Sequence, residues 1–188
     1  MNFDKEISAI ILAGGKSTRM GTDKALLKYN DKTFLEIVTN EIKKICKTIL
    51  ICSNNLNHKI DNCELIFDKY SEIGPIGGIY SGLSESKTEY NIVIACDNIF
   101  IKAEIFELLW EKSKEKNYDI TIANYKNFPE PLIGIYNKSA LKFIQQNIIN
   151  KDYKLQNLLK NSNTIKVDFD DENDIFININ DNNSFNLF

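Results

Sequence analysis

The sequence predicts an α/β fold in a single domain, with a mostly parallel sheet flanked by helices. Three observations carry this. Short apolar runs rich in β-branched residues alternate along the chain with longer stretches whose apolar residues recur at helical spacing. The short runs are continuously apolar rather than alternating, as strands covered on both faces are. The length of 188 residues suits one sizeable core, so 1–188 reads as one domain without room for a second.

The elements follow in order. Ile7 to Leu12 is a buried strand by length and composition. Phe34, Ile37, Val38, Ile42 and Ile45 recur at helical spacing, with Thr33 as the N-cap. Thr48 to Cys52 and Glu64 to Phe67 are the second and third strands. Gly77 to Glu85 is helical, and Tyr90 to Cys96 is a near-continuous apolar strand. Ile105, Leu108 and Leu109 mark the face of a helix from about Lys102 to Glu115. Asp119 to Ala123 and Ile133 to Tyr136 are further strands. Helices at Ser139 to Ile149 and Lys154 to Leu159 precede strands at Thr164 to Phe169 and Phe176 to Ile179. Trp110 and the phenylalanines are assigned to the core.

Composition limits the function classes. A net charge of −3 argues against a general nucleic-acid binder, so an anionic substrate has to be met by local positive charge. No run of about 18 apolar residues suggests a membrane span, and the first apolar run is too short and too poorly flanked for a signal peptide. Four cysteines without C-x-x-C spacing, and a single histidine, argue against a zinc cage. The cysteines read as reduced, mostly buried thiols, and the compartment as cytoplasmic.

The glycines point to a site. All eight glycines and all three prolines fall in three segments: Gly14 to Gly21, Gly74 to Gly82, and Pro129 to Gly134. Elsewhere connections use Asn, Asp, Ser and Lys, so these segments are expected to need positive φ or a close approach of backbone to a ligand. Open parallel sheets bind ligands at the carboxyl ends of their strands, where the first segment falls. The chain has one arginine, Arg19, and it lies in that segment. A guanidinium offers phosphate oxygens a planar fork that an ammonium lacks.

The first segment runs Leu12-Ala13-Gly14-Gly15-Lys16-Ser17-Thr18-Arg19-Met20-Gly21-Thr22-Asp23-Lys24. Its backbone N–H groups, backed by Lys and Arg, suit a phosphate cradle. It is neither a Walker A loop, because Ile10 stands where the first glycine belongs, nor a G-x-G-x-x-G fingerprint. The second segment couples Asp68 to Gly74-Pro75-Ile76-Gly77-Gly78. It is equally a ligand loop or a helix start packed tightly on the sheet. Asp97, after the Tyr90 to Cys96 strand, is placed to hold Mg²⁺ beside phosphates.

Other candidates read as structural. His58 lies in a polar loop and is expected to be solvated. No Ser/His/Asp or Cys/His constellation is evident from spacing. The acidic run from Asp168 to Asp174 fails the EF-hand pattern at Asn173 and Ile179 and reads as a solvated turn.

Taken together, these segments resemble the molybdenum cofactor guanylyltransferase (MobA-like) family of nucleotidyltransferases. L-A-G-G-K-S-T-R-M-G-T-D-K (12–24) resembles its signature, and Asp68 with G-P-I-G-G-I (74–79) its second motif. Cys96-Asp97 is similar to its C-D-x-P, Pro131 to Tyr136 to its P-L-x-G-x-Y, and Phe176 to Asn180 to its N-I-N segment. The first motif is shared by a large superfamily; the five in order are more specific.

The resemblance implies a nucleotide-diphospho-sugar transferase (Rossmann-like) fold and transfer of GMP from GTP onto the terminal phosphate of molybdopterin cofactor. Leu12, Ala13, Gly14, Gly15, Asn54, Asp68, Gly74 and Gly77 are then expected around the nucleotide. Lys24, Arg19 and Asp97 are expected at its phosphates, with Mg²⁺ on Asp97. Pro131, Gly134, Asn178 and Asn180 are expected on the acceptor side, and transient contacts with cofactor-carrying or acceptor proteins are conceivable. The chain departs from the family pattern at Ile99 (for proline), at Cys52 with Asn54 two residues on, and at residues 180–184. A sugar-phosphate or polyol-phosphate acceptor, cytidylyl transfer, and a non-catalytic nucleotide-binding regulator are the alternatives.

Overall fold

The computed structural model describes residues 7–14, 23–70, 72–170 and Phe176. In chain order the first half contains β1 (Ile7–Leu12), β2 (Lys28–Tyr29), β3 (Lys32–Thr33), α1 (Phe34–Ile42), β4 (Ile49–Cys52), β5 (Glu64–Ile66) and α2 (Pro75–Glu85). The second contains β6 (Tyr90–Ala95), α3 (Ala103–Glu115), β7 (Ile120–Tyr125), β8 (Phe128–Asn137), α4 (Leu141–Ile149), α5 (Leu155–Asn161) and β9 (Thr164–Phe169). β2 and β3 form a small separate hairpin. The other seven strands make one sheet in the order β5-β4-β1-β6-β8-β7-β9. Four of its six pairings are parallel, and β8 runs against both neighbours. The sheet is mostly parallel, as the sequence predicts.

Alternation along β1 explains its largely apolar character. Ile7, Ala9 and Ile11 pack toward α1 and α3, against Phe34, Val38, Phe106 and Leu109. Ile10 and Leu12 face the other way, toward α2, α4 and α5, against Ile76, Ile79, Leu83, Ile144 and Leu158. Side chains on a strand alternate between faces, so a strand with helices on both sides is largely apolar, and the buried Ser8 is accommodated by accepting from the Thr88 hydroxyl at 2.9 Å.

Local chemistry sets the helix starts. Thr33 caps α1 as expected: its Oγ accepts from the Glu36 N–H at 3.1 Å while Glu36 accepts from the Thr33 N–H at 2.6 Å. These bonds hold the Glu36 carboxyl below its ordinary pKa. α2 begins two residues earlier than predicted, because Gly74 at φ +76° turns the chain and Pro75 supplies a helical φ at the first position.

β8 is longer than the predicted Ile133 to Tyr136. Lys126 (φ 48°) and Asn127 (φ 67°) make a tight turn that pairs Tyr125 with Phe128. A turn of left-handed residues without glycine hid the hairpin, as did two prolines in the strand. Those prolines are tolerated because Phe128 to Leu132 lies beyond the pairing with β6, and a register shift interrupts the pairing with β7 between Ile122 and Ala123.

The assignment of the phenylalanines to the core needs correcting. Phe67 is 55% and Phe128 71% exposed, because one follows an edge strand and the other sits at the hairpin turn. Trp110 is buried as expected. Phe176 is buried in a turn and stacks on Tyr125 with ring centroids 4.7 Å apart. The rest of the predicted strand to Ile179 lies outside the described residues. Asp168 belongs to β9 and accepts from the Asn124 amide, and residues 171–174 lie outside the described set. Cys46, Cys52 and Cys96 are buried and Cys63 is half-buried. Among the described residues no helix is long and apolar enough to cross a membrane.

Candidate functional site

The carboxyl ends of β1, β4, β5 and β6 lie together, and backbone hydrogen bonds continue past the strands. The N–H groups of Ala13 and Gly14 both donate to the Cys52 carbonyl at 3.1 Å, and the Cys96 N–H donates to the Leu12 carbonyl at 3.0 Å. The start of the glycine segment is thus tied to β4 on one side and to the end of β6 on the other.

Beside this junction is a cleft of about 870 Å³ whose lining includes Ala13, Gly14, Asn54, Asp68 and Gly74. Its size is that of a small-ligand site. Asp68 follows β5, and its N–H donates to the Asn54 side chain at 3.0 Å. A Cβ on Gly14 would lie 3.2 Å from Asp68 Oδ2, so the missing side chain lets the carboxylate close on the loop. Asp68 Oδ1 is buried with no hydrogen-bond partner among the described residues, and burial pushes its carboxyl above the ordinary pKa.

Lys24 opens a short 3₁₀ turn, Lys24–Leu26, capped by Asp23, which accepts from the Ala25 N–H at 3.1 Å. Its ammonium reaches Asp97 Oδ2 at 3.1 Å, and the two side chains are 21% and 20% exposed. Asp97 stands two residues after β6, so this pair bridges the chain leaving β1 and the chain leaving β6. From β1 the chain runs outward through β4 to β5, then returns to β6 on the other flank of β1. The pair therefore sits where the winding reverses, the position at which open α/β sheets hold ligands.

His58 is not solvated as expected: it is 1% exposed. Asn55 caps a 3₁₀ turn, Leu56–His58, which carries the ring inward. Its Nδ1 lies 2.7 Å from Ser53 Oγ and its Nε2 2.9 Å from Asp23 Oδ2. The Asn55 amide donates to the same Asp23 oxygen at 2.9 Å. The structure thus aligns Ser53, His58 and Asp23, an arrangement invisible to spacing because Asp23 is remote in sequence. Ser53 is 1% exposed and accepts from the Asn55 N–H, so it is a structural hydroxyl rather than a nucleophile. Asp23, Ser53, Asn55, His58, Tyr70 and Glu72 also line the cleft and were not assigned to the site from sequence. The one available signal was Asn55 as a cap.

The expectation that glycine marks ligand approach holds for only part of the set. A Cβ on Gly77 would meet the Tyr70 carbonyl at 2.6 Å, and one on Gly78 would meet Leu12 Cδ2 at 2.9 Å. On Gly82 it would meet Ile10 Cγ2 at 2.6 Å, so Gly78 and Gly82 let α2 lie close on β1, while Gly77 lets it lie close on the preceding loop. Gly134 is buried within the sheet, where a Cβ would meet the Thr121 carbonyl at 2.7 Å. Pro131 is half-buried, and its carbonyl accepts from the Tyr136 hydroxyl at 2.7 Å. Ile99 is buried in the core rather than shaping a loop. Cys52 presses its thiol toward α2, and burial raises its pKa far above the usual range, leaving it unreactive. Gly15, Arg19, Asn178 and Asn180 lie outside the described residues.

A cleft at the carboxyl ends of a mostly parallel sheet, beside an ammonium–carboxylate pair where the winding reverses, defines the class: an α/β protein built to bind a ligand at its topological switch point. Comparison with known proteins narrows it. Residues 9–166 match the family described as MobA-like NTP transferase domain, and the chain belongs to that family of nucleotidyltransferases. It is 32% identical to a protein of Natranaerobius thermophilus named probable molybdenum cofactor guanylyltransferase, covering 93% of this chain and 90% of that one. It is 32% identical to the molybdenum cofactor guanylyltransferase of Vibrio parahaemolyticus, covering 93% and 91% of the two chains. The fold is that of molybdopterin-guanine dinucleotide biosynthesis protein A from Archaeoglobus fulgidus, with a TM-score of 0.83 at 24% identity over 96% of this chain and 95% of that one.

Proposed function

We propose that this chain transfers GMP from GTP to the terminal phosphate of molybdopterin cofactor, releasing pyrophosphate. The observation that carries this reading is the Lys24–Asp97 pair at the winding reversal, beside a cleft walled by Asp68. An acceptor phosphate oxygen attacks the α-phosphorus, a new P–O bond forms, and the bond to the bridging oxygen of pyrophosphate breaks. The attacking group is a phosphate monoester, largely ionised near neutral pH, so no side-chain base is required. Catalysis is then positioning and charge stabilisation.

Leu12, Ala13, Gly14 and Gly15 contact the nucleotide through their backbone, with Gly74 on the opposite wall, Gly77 acting through its close packing against the Tyr70 carbonyl, and Asn54 fixing Asp68. Asp68 is a carboxylate with unused acceptor capacity, and guanine offers two N–H donors on one edge, which suits GTP. Lys24 and Arg19 neutralise phosphate charge. Asp97 holds the metal, Mg²⁺ in this reading. A Mg²⁺ ion is commonly bound through one or two carboxylates plus substrate phosphates, so Asp97 suffices on the protein side. Among the described residues no group of three or more His, Cys, Asp or Glu could cage an ion by itself. When bound, such an ion would supply Lewis-acid stabilisation of the negative charge on the phosphates. Pro131, Asn178 and Asn180 line the acceptor side, with Gly134 acting through the packing of β8. The enzyme works in the cytoplasm, where it meets cofactor-carrying proteins.

The test is incubation of the protein with GTP, Mg²⁺ and molybdopterin cofactor, scored for pyrophosphate and the guanine dinucleotide, with CTP in parallel. Product from GTP alone supports the reading. No product, or preference for CTP, overturns it.

A further inference from the structure

We propose that His58 is a positioning residue for the nucleotidyl transfer, holding Lys24 in register through Asp23. The inference rests on the function proposed above. Its basis is the line of contacts from Ser53 Oγ to His58 Nδ1 at 2.7 Å, and from His58 Nε2 to Asp23 Oδ2 at 2.9 Å. A carboxylate accepts, so Nε2 carries the hydrogen toward Asp23, and in that tautomer Nδ1 is the acceptor for the Ser53 hydroxyl. Ser53 is itself set by the Asn55 N–H at 3.1 Å. The orientation of the imidazole is therefore determined at both ends.

Asp23 passes this order to the site. One of its oxygens accepts from His58 and Asn55, and the other caps the turn that begins at Lys24 by accepting from the Ala25 N–H. Fixing the carboxylate fixes the backbone from which the Lys24 side chain reaches Asp97. The same contacts bind the end of the glycine segment to the loop after β4, joining two walls of the cleft. The ring is buried and acts through Asp23, so its role is geometric. A displacement of about 1 Å at a charge-stabilising group can cost on the order of a hundredfold in rate.

His58 is the only histidine in the chain, so ¹⁵N imidazole spectra of the intact protein need no assignment. Recorded at mildly alkaline pH, where imidazole is ordinarily neutral, they are expected to show the Nε2–H tautomer, and Asp23→Asn is expected to shift it. In GTP turnover, His58→Leu is expected to lower kcat about tenfold or more while changing KM for GTP less than about threefold, since contacts to the base are untouched. His58→Gln keeps a donor toward Asp23 and is expected to recover most of the loss. Thermal melts verify that each variant is folded. An Nδ1–H tautomer in the wild-type protein overturns the proposal. So does a folded His58→Leu variant with kcat within about threefold of wild type, or a His58→Gln variant as impaired as His58→Leu. An inactive wild-type protein marks failure of the underlying function instead, and is read from the control before any variant is compared.

Discussion

Replacing Lys24 with alanine, or Asp97 with asparagine, is expected to separate turnover from stability. The two groups are 3.1 Å apart and about one-fifth exposed. Water can reach whichever charge is left behind, so the loss of folding free energy is expected to be only about 1 kcal/mol, with a melting shift of about 2–4 °C for a chain of this size. The rate should suffer far more. Removing one positioned group that stabilises transition-state charge costs about 10²–10³ in kcat, or about 2.7–4 kcal/mol. Because ammonium and carboxylate serve the same phosphates, the double variant is expected to be little worse than either single one. Pyrophosphate release in single-turnover and steady-state assays measures the first effect, and calorimetric melting the second. Near-normal release from folded Lys24→Ala or Asp97→Asn protein would refute the reasoning, whatever the melting shift.

Two further outcomes follow from the geometry. Burial raises the folded-state pKa of Asp68, so as pH rises the unfolded chain releases this proton first, and stability falls through the window between the unfolded and folded values. Asp68→Asn removes that penalty: melts across pH should show the variant more stable at neutral pH and equal to wild type in acid below both values, while GTP binding weakens. A variant less stable at neutral pH would contradict the burial argument. Gly82→Ala gains about 1 kcal/mol of helix propensity but forces a Cβ to within 2.6 Å of Ile10 Cγ2, and Ile10 is fully buried. Overpacking costs about 1–3 kcal/mol, so the melting temperature should fall, and a rise would mean that α2 can move off the sheet.

The parts of the fold visible in the sequence are those with one-dimensional causes. β1 and β6 are largely apolar because both faces are covered, with Ser8 and Asn91 as their buried polar residues, and Thr33 marks the start of α1 as its N-cap. Lys24, Asp68 and Asp97 could be named as candidate site residues because each follows a strand end or a glycine turn. The β7–β8 hairpin was not, since its turn uses Lys126 and Asn127 where glycine is usual. His58 was misplaced for a different reason. A polar neighbourhood in sequence says nothing about an aspartate 35 residues away that supplies the partner which makes burial tolerable. Glycines at 77, 78, 82 and 134 resembled ligand loops, yet close packing of helix on strand and strand on strand requires the same residue.

The mouth of the cleft is built on main-chain atoms. Cys52 holds Ala13 and Gly14 by its carbonyl, and Cys96 reaches Leu12 by its N–H, so neither thiol takes part in those bonds. Position 52 thus answers to two separate demands: its side chain must be small enough to sit beneath α2, while its carbonyl serves the loop whatever that side chain is. Such a division lets relatives diverge at 52 in side-chain chemistry while the entrance keeps its shape. A departure from the family pattern there is then a change of packing, with the loop architecture inherited intact.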